Sequence, residues 1–360
     1  MEKIILHIDV NSAFLSWSAV KLLREGYKRD IRKEISVISG DPKTRHGIVV
    51  AASIPAKKIG IKPPINLKEA RRIYKRVIVV QPDFIFYKKC SMALMNFLKR
   101  IFNVVEQFSI DECFVDYTYL KDKYGDEVLF ANKLKNEIYK RFGFSVNIGI
   151  GNNKLSAKMA SDFEKPNKVH TLYSYEFKDK VWSKDISDLF MAGKSSCSKL
   201  RNMGINTIGE LANYDVNKLI QKLKSHGKLL YEYANGIDNS ILNVDNYNER
   251  KSISYSKTLE YNTDNRSKIY EILKEFSIRI SKELKKRGFY ARTVVITIRD
   301  DSFKTTSKQL QLLNSTNNEK DIYNAGVSLF NKLWKEDKVR LIGLGVTDFS
   351  DYVLYQLSLF

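Results

Sequence analysis

Apolar residues along this chain follow two rhythms, and their alternation outlines the architecture. Short continuous runs at IILHIDV (4–10), GIVVAAS (47–53), RVIVVQP (76–82) and SVNIGIG (145–151) predict buried strands. Asp9 lies at the end of the first run, where a strand emerges from its sheet. Between the runs the apolar spacing turns helical. SAFLSWSAVKLL carries Phe14, Trp17, Val20 and Leu23 on one stripe, with Ser12 placed as an N-cap. A Lys-rich helical segment separates the second and third strands, and residues 85–105 keep helical spacing. VEQFSIDECFVDY reads as two strand halves around a bend at its acids. VLFANKLKNEIYKRF is an amphipathic helix, and NNKLSAKMASDF sets Leu155, Met159 and Phe163 on one stripe and Lys154 and Lys158 on another. Strands alternating with helices predict an α/β or α+β core.

Further along, PNKVH around Pro166 reads as an exit linker, and residues 185–235 are helical around KLRNMGINTIGELANYD. The Asn-rich passage NVDNYNERKS (243–252) reads as a second linker. After it come strand (253–260), helix (266–287, ended by Gly288), strand (292–299), strand (305–313), helix (319–335) and strand (339–349). That β-α-β-β-α-β succession is the split, ferredoxin-like arrangement. The expectation is an α+β multidomain chain with units at 1–167, 168–242 and 243–350 and a tail at 351–360.

Composition narrows the partners. Hydrophobic content of 43% with 28% charged residues is ordinary for a globular protein. Asp9 interrupts the apolar N-terminal run, so no signal-peptide pattern is expected, and no stretch reaches the roughly 20 apolar residues of a membrane span. Cys90, Cys113 and Cys197 lie far apart without a CxxC pair. With four histidines in all, neither a structural zinc site nor a disulfide framework is expected, and a reducing cytoplasmic location follows. The 61 basic against 41 acidic residues give +20, which suggests a polyanionic partner such as nucleic acid. The plain alternative is a Lys-rich solubilising surface. The excess is greatest over residues 1–167, where the acidic motif lies.

FSIDECFVDY (108–117) holds Asp111, Glu112 and Asp116 inside an apolar run, where ionised carboxylates are costly unless paired or bound to a cation. In an extended strand Asp111 and Glu112 would face opposite ways, so both serve one site only if the chain bends there. Hard oxygen ligands without nearby Cys or His fit Mg²⁺, and the usual work of such a site is two-metal phosphoryl transfer. Solvated strand-end acids are the bland alternative, and Asp116, further along, is expected to be structural. Lys57 and Lys58 in SIPAKKIGIKPP and Lys165 in FEKPNK are candidate phosphate cations. The turn at VNSAF, with Ser12 and Ala13, offers backbone N–H groups ahead of a helix.

HIDVNSAF, AASIPAKKIGIKPP, FSIDECFVDY and NIGIGNNKLSAKMASDFEKPN occur in the order found in the Y-family translesion DNA polymerases, and the chain resembles their bacterial polymerase IV-like branch over nearly its whole length. The resemblance implies a palm with a ferredoxin-like catalytic sheet, small fingers at about 20–80, a helical thumb with a helix-hairpin-helix, and a little finger. It implies Asp9, Asp111 and Glu112 as metal ligands, with the Val10 carbonyl completing one shell, for two Mg²⁺ ions with Mn²⁺ as a substitute. Phe14 falls at the steric gate that excludes a ribose 2′-hydroxyl. Lys165 falls at the triphosphate-binding lysine, joined by Ser12, Ala13, Lys57 and Lys58, while Ser109 and Lys158 match polar positions lining the site. Two departures stand out. Ile54 and Lys57 replace the usual fingers Tyr and Arg, and Ser12 and Ala13 stand where many members have aromatics before the gate.

LFMAGKSSCSKLRNMGINTIGELANYD is similar to the thumb hairpin, with its turn at Ala192-Gly193-Lys194-Ser195 and Lys194 and Ser195 placed for a DNA phosphate. In the little finger, Arg250, Lys251, Arg292 and Arg299 lie at strand starts and ends, where they could track a backbone. The segment QLSLF (Gln356, Leu357, Ser358, Leu359 and Phe360) resembles the pentapeptide that docks on a sliding β-clamp. The expected protein is a monomeric, cytoplasmic, nucleoid-associated DNA polymerase acting on primer-template DNA and dNTPs, with low fidelity and no proofreading. A non-catalytic DNA- and clamp-binding factor on a decayed polymerase fold is the first alternative. A palm-type nucleotidyl transferase such as a cyclase is the second.

Overall fold

The computed structural model describes residues 2–41, 47–243 and 251–352. They belong to two compact units, Met1–Gly40 with Val49–Asn248, and Asp41–Ile48 with Glu249–Phe360. The first unit opens with β1 (Ile5–Val10) and α1 (Ala13–Arg24). Trp17 and Val20 of the predicted stripe are buried, but Leu23 is exposed near the helix end. Next come β2 (Ser36–Ser39), β3 (Ile48–Ala52), α2 (Ile54–Lys58), β4 (Ile65–Asn66), α3 (Leu67–Ile73) and β5 (Ile78–Val80), a small sheet ordered β4-β3-β2-β5. β2 has no counterpart in the sequence expectation, because four residues are too few to show a period. It pairs antiparallel with β3 and parallel with β5.

The chain continues through α4 (Phe84–Leu98), β6 (Val105–Gln107), β7 (Glu112–Asp116), α5 (Lys121–Tyr124), α6 (Glu127–Phe142), β8 (Val146–Gly151), α7 (Lys154–Asp162) and β9 (Val169–Leu172). Helix α4 ends seven residues before the predicted 105. Phe102 beyond it stays buried in the same core, so apolar spacing ran on where the helix did not. The strands form a five-stranded sheet ordered β6-β7-β1-β8-β9. PNKVH is therefore not a free linker: it leads directly into β9, which pairs parallel with β8. Two crossovers in this sheet are split, since β7 lies between β6 and β1, and β1 between β7 and β8, while the third, through α7, joins the neighbours β8 and β9.

Alternation sorts the two faces of β1. Leu6, Ile8 and Val10 pack with Tyr87, Leu94 and Leu98 of α4 and with Ala131, Leu134 and Ile138 of α6. Ile5, His7 and Asp9 face the other way, where Ile5 and Phe114 pack on Ala157 of α7. The glycines of β8 make that contact possible. A Cβ on Gly149 would lie 2.0 Å from the Ala157 carbonyl oxygen, and one on Gly151 would lie 2.5 Å from Ser156 Oγ. They let a helix backbone lie directly on the sheet.

Helices α8 (Ser174–Val181), α9 (Lys194–Arg201), α10 (Ile208–Ala212), α11 (Val216–Leu223) and α12 (Ser225–Ala234) follow. Their core of Phe177, Leu200, Ile208, Leu219 and Leu230 also takes in Leu155 and Met159 of α7.

The second unit contains β10 (Ser252–Thr263), α13 (Arg266–Arg287), β11 (Tyr290–Asp300), β12 (Thr305–Thr316), α14 (Glu319–Leu333) and β13 (Val339–Ser350), in the predicted succession. Its antiparallel sheet is ordered β10-β13-β11-β12. Here both crossovers are split, by β13 and by β11. Both helices pack on its apolar face through Ile272, Phe276, Ile280, Leu329 and Phe330. Gly288 ends α13 in the left-handed conformation, as the sequence indicates.

Candidate active site

The bend expected at the acids is a hairpin tip. β6 and β7 pair antiparallel, and Phe108 N–H and Ser109 N–H both donate to the Glu112 carbonyl. Ser109 organises the tip. Its Oγ donates to Asp111 Oδ1 at 2.7 Å and accepts from the Asp111 and Glu112 N–H groups at 3.2 and 3.1 Å. The next strand pairing sets Asp9 opposite Glu112, so both carboxylates rise from the face that carries α7. The Val10 N–H donates to the Asp111 carbonyl at 3.1 Å, which fixes the tip against β1. Asp116 sits at the far end of β7, opposite Ile5, and accepts from the Thr118 N–H at 2.8 Å. Four residues of strand span about 13 Å, so Asp116 stands apart from Asp9 and Glu112.

Two lysines answer the acids. Lys158 on α7 donates to Glu112 Oε1 at 2.6 Å, and Lys165 donates to Asp9 Oδ2. Asp162 stands between them, 3.4 Å from Lys158 and 2.7 Å from Lys165. Burial raises the Asp9 pKa to about 6, opposed by Lys165 and reinforced by Glu112. Burial works against the Lys158 and Lys165 ammoniums, but Glu112 and Asp9 respectively, with Asp162, outweigh it and raise both pKa values. Beneath them, His7 is fully buried, and its pKa lies well below the ordinary value because of that burial and of Lys158 and Lys165. Its Nδ1 lies 2.8 Å from Ser161 Oγ, which donates onward to the Lys158 carbonyl. His7 therefore carries its proton on Nδ1.

Among the described residues no group of three His, Cys, Asp or Glu side chains converges as a metal-holding set. Asp9, Glu112 and Asp111 are instead engaged by Lys165, Lys158 and Ser109. The donor chemistry still fits a hard dication: three carboxylates where β1 ends and β7 begins, no thiol or imidazole bonded to them among the described residues, and cationic groups already drawn to the same oxygens.

A cleft of about 600 Å³ opens at this end of β1, lined by Asp9, Val10, Ser12, Ala13, Lys57, Asp111 and Lys165 among others. Lys57 turns into it and donates to Ser12 Oγ at 3.0 Å. Desolvation, with Lys165 nearby, lowers its pKa, while Asp9 opposes the shift. Lys58 is exposed and does not line the cleft. Ile54 lines it with a partly exposed side chain. Ser12 sits at the N-cap position but does not cap. Its backbone is left-handed (φ 46°), its side chain makes no cap bond, and it receives Lys57 instead. Phe14 lines an adjoining cavity of about 430 Å³ that also includes Asp111. Its ring stacks on Tyr87 at 4.9 Å and meets Phe84 edge-on at 5.8 Å.

Sequence reasoning passed over a buried amide network that fastens the Lys165 loop. Asn147, fully buried on β8, donates to the Ser161 and Glu164 carbonyls at 2.9 and 2.7 Å. It accepts from Asn11 Nδ2 and from the Lys168 N–H. Asn11 Oδ1 accepts from Ser145 Oγ and the Asn167 N–H at 3.0 and 2.9 Å. An amide inside the apolar run SVNIGIG was the available signal, because a buried amide requires partners.

The expected DNA contacts are dispersed. Lys194 and Ser195 are exposed in the first turn of α9, after Gly193, and Lys194 lines a shallow cavity with Ser187 and Arg201. In this segment the backbone turns left-handed at Met191 (φ 69°) before α9 and at Gly204 (φ 81°) after it. Lys251 is exposed. Arg292 donates to the Leu312 carbonyl and Arg299 to Thr305 Oγ1. Arg250 and the segment Gln356–Phe360 lie outside the described residues. No described helix is long and apolar enough to cross a membrane.

Comparison with known proteins agrees with this geometry. Residues 8–162 match the impB/mucB/samB family, and residues 250–359 match the impB/mucB/samB family C-terminal domain. A DNA polymerase IV of Clostridium acetobutylicum is 44% identical over 362 residues, covering 100% of this chain and 90% of the relative. DNA polymerase IV 1 of Bacillus subtilis is 31% identical, covering 99% of this chain and 85% of the relative. The solved structure of a Y-family DNA polymerase chimera superposes with a TM-score of 0.83 at 22% identity, over 96% of this chain and 98% of that one. The chain belongs to the impB/mucB/samB family, within the DNA polymerase IV-like branch of the Y-family DNA polymerases.

Proposed function

We propose that this polymerase extends a primer 3′ end on a DNA template with dNTPs, in the translesion manner, and that the cleft at the end of β1 is its active site. The observation that carries the reading is the register pair Asp9 and Glu112 on neighbouring antiparallel strands, at a cleft that also presents Lys57 and Lys165. Asp9, Asp111, Glu112 and the Val10 carbonyl would hold two Mg²⁺ ions, with Mn²⁺ as a substitute. The chemistry such ions supply when bound is acidification of the primer hydroxyl and charge neutralisation on the triphosphate. Ser109 orients the Asp111 carboxylate, and Lys158 pairs with the half-buried Glu112 carboxylate. Lys165 and Lys57 provide point charges for the triphosphate, and the Ser12–Ala13 turn brings backbone N–H groups to the same cleft. Phe14, backed by the buried Tyr87, is the steric gate.

The same reading makes residues 1–167 palm and fingers, 168–242 thumb and 243–350 little finger, with the palm sheet running on through β9. Lys194, Ser195, Arg250, Lys251, Arg292 and Arg299 hold the DNA backbone, and QLSLF docks a monomeric enzyme on a β-clamp in the cytoplasm. Copying is of low fidelity and without proofreading. One observation favours the alternative, a non-catalytic DNA- and clamp-binding factor: lysines already satisfy Asp9 and Glu112.

Primer extension on a primed template with Mg²⁺ and dNTPs separates the two. Wild type is expected to extend, and Asp111→Ala to lose at least about 100-fold in rate while retaining DNA binding. Equal extension by both would remove Asp111 from the site. Failure of the wild type, even with a clamp present, would establish the non-catalytic reading.

A further inference from the structure

The Ser12–Lys57 contact joins two positions at which this chain departs from the usual family pattern. Lys57 lies on α2, whose backbone is held at its start: Ser53 Oγ accepts from the Ala56 N–H and donates to the Glu34 carbonyl, and the Ser53 N–H donates to the Ser36 carbonyl. From that fixed base the side chain reaches Ser12 Oγ at 3.0 Å. Ser12 holds a conformation that L-residues avoid (φ 46°, ψ 55°). The surrounding bonds impose it. The Ser16 N–H donates to the Ser12 carbonyl, Ser16 Oγ donates to the Asn11 carbonyl at 2.6 Å, and the Asn11 N–H donates to the Ser145 carbonyl. Backbone strain of this kind persists only when neighbouring contacts over-determine it, and it concentrates at ligand clamps.

An arginine fork is pre-organised by its own planarity, whereas a lysine is a point charge on four rotatable bonds. A lysine that must meet an anion at one place therefore gains from a partner that limits its rotamers. Ser12 is such a partner. Ser12 lines the 600 Å³ cleft together with Lys57 and Asp9, and its hydroxyl is the group that Lys57 reaches. The nearness of Lys165 and Asp9 to the Lys57 ammonium agrees with that placement.

We infer that Ser12 is a positioning residue for the nucleotide. Held in its left-handed turn, it aims the Lys57 ammonium across the cleft to receive a dNTP triphosphate. The inference rests on the reading of this cleft as the nucleotide site. Ser12 and Lys57 thereby act as one unit, in which a small hydroxyl residue at the first position is the complement of lysine rather than arginine at the second.

The test is single-nucleotide incorporation by the full chain on a primed template with Mg²⁺, measuring kcat and KM for dNTP separately. Ser12→Gly removes the hydroxyl and suits a positive φ, so the turn is retained. It is expected to raise KM about 3- to 5-fold with a smaller change in kcat. Lys57→Met is expected to raise KM at least as far, and Ser12→Gly added to it to have no further effect. Ser12→Asn, which tolerates the left-handed conformation and restores a side-chain oxygen, is expected to recover most of the KM and supplies a second variant should Ser12→Gly fold poorly. Multiplicative effects of Ser12→Gly and Lys57→Met would overturn the inference. So would an unchanged KM in Ser12→Gly beside a raised KM in Lys57→Met, which would leave the nucleotide site standing. An unchanged KM in Lys57→Met would instead remove Lys57 from the triphosphate site, and the inference with it.

Discussion

At the scale of single residues the site is a set of charges kept solvable by close partners. Asp9 is 6% exposed and Lys158 is 8% exposed. Neither could stay ionised there alone, so the Asp9–Lys165 and Glu112–Lys158 pairs are conditions of the fold as well as features of the site. Asp162 shares both lysines, which ties the end of α7 to both acids. Strain is held at single residues too. Ser12 carries a left-handed backbone (φ 46°) where it receives Lys57. Met191 carries one (φ 69°) in the α9 hairpin with half of its side chain exposed. The left-handed conformation costs an L-residue about 1–2 kcal/mol, part of which glycine returns through its greater freedom when unfolded. Met191→Gly is expected to stabilise the protein by about 0.5–1 kcal/mol, read as a raised Tm. A lowered Tm would show that the Met191 side chain contributes more than its backbone costs.

At the scale of elements, α7 decides where everything lies. Its capping box at Asn153 and Ser156 starts it, and Gly149 and Gly151 let it sit on β8 at backbone distance. It brings Lys158 to Glu112, His7 to Ser161 and, through the loop held by Asn147, Lys165 to Asp9. Gly149→Ala places a Cβ 2.0 Å from one backbone atom of α7 and 2.3 Å from another. Neither is the free end of a flexible side chain, so the helix must move. The expected outcome is a loss of about 3 kcal/mol or more in denaturant unfolding, with polymerase activity falling alongside. Unaltered stability would mean that α7 can lift from the sheet freely, and that it does not set the position of the lysines.

At the scale of the whole molecule the net charge of +20 predicts binding to a polyanion that weakens with salt. The candidate backbone contacts are spread over the chain rather than gathered in one motif, as expected for contacts that position a duplex without reading it. Arg299→Ala is expected to reduce the steepness of log Kd against log salt by about 1, equally for unrelated DNA sequences. An unchanged slope would take Arg299 out of the interface. A sequence-dependent loss would make it a base-reading residue instead.

Much of this protein was legible one residue type at a time. Apolar periods placed β1, β8, α7 and the β-α-β-β-α-β succession of the second unit, because burial of one face imposes its period on the sequence. The apolar halves around SIDE required a bend, since two adjacent carboxylates cannot serve one face of a straight strand. Tertiary structure alone decided what depends on distant partners. β9 takes its place only by pairing with β8, and β2 only by lying between β3 and β5. Ser12 looks like an N-cap locally and becomes the partner of Lys57 only because α2 comes back across the cleft. Lys57 rather than Lys58 faces the site because one residue step along a helix swings the side chain by about 100°. The acids, the lysines and the small glycines were all present in the sequence. Which carboxylate meets which ammonium is a matter of register and helix placement, and those come from packing across 46 residues of separation for Glu112 and Lys158 and 156 for Asp9 and Lys165.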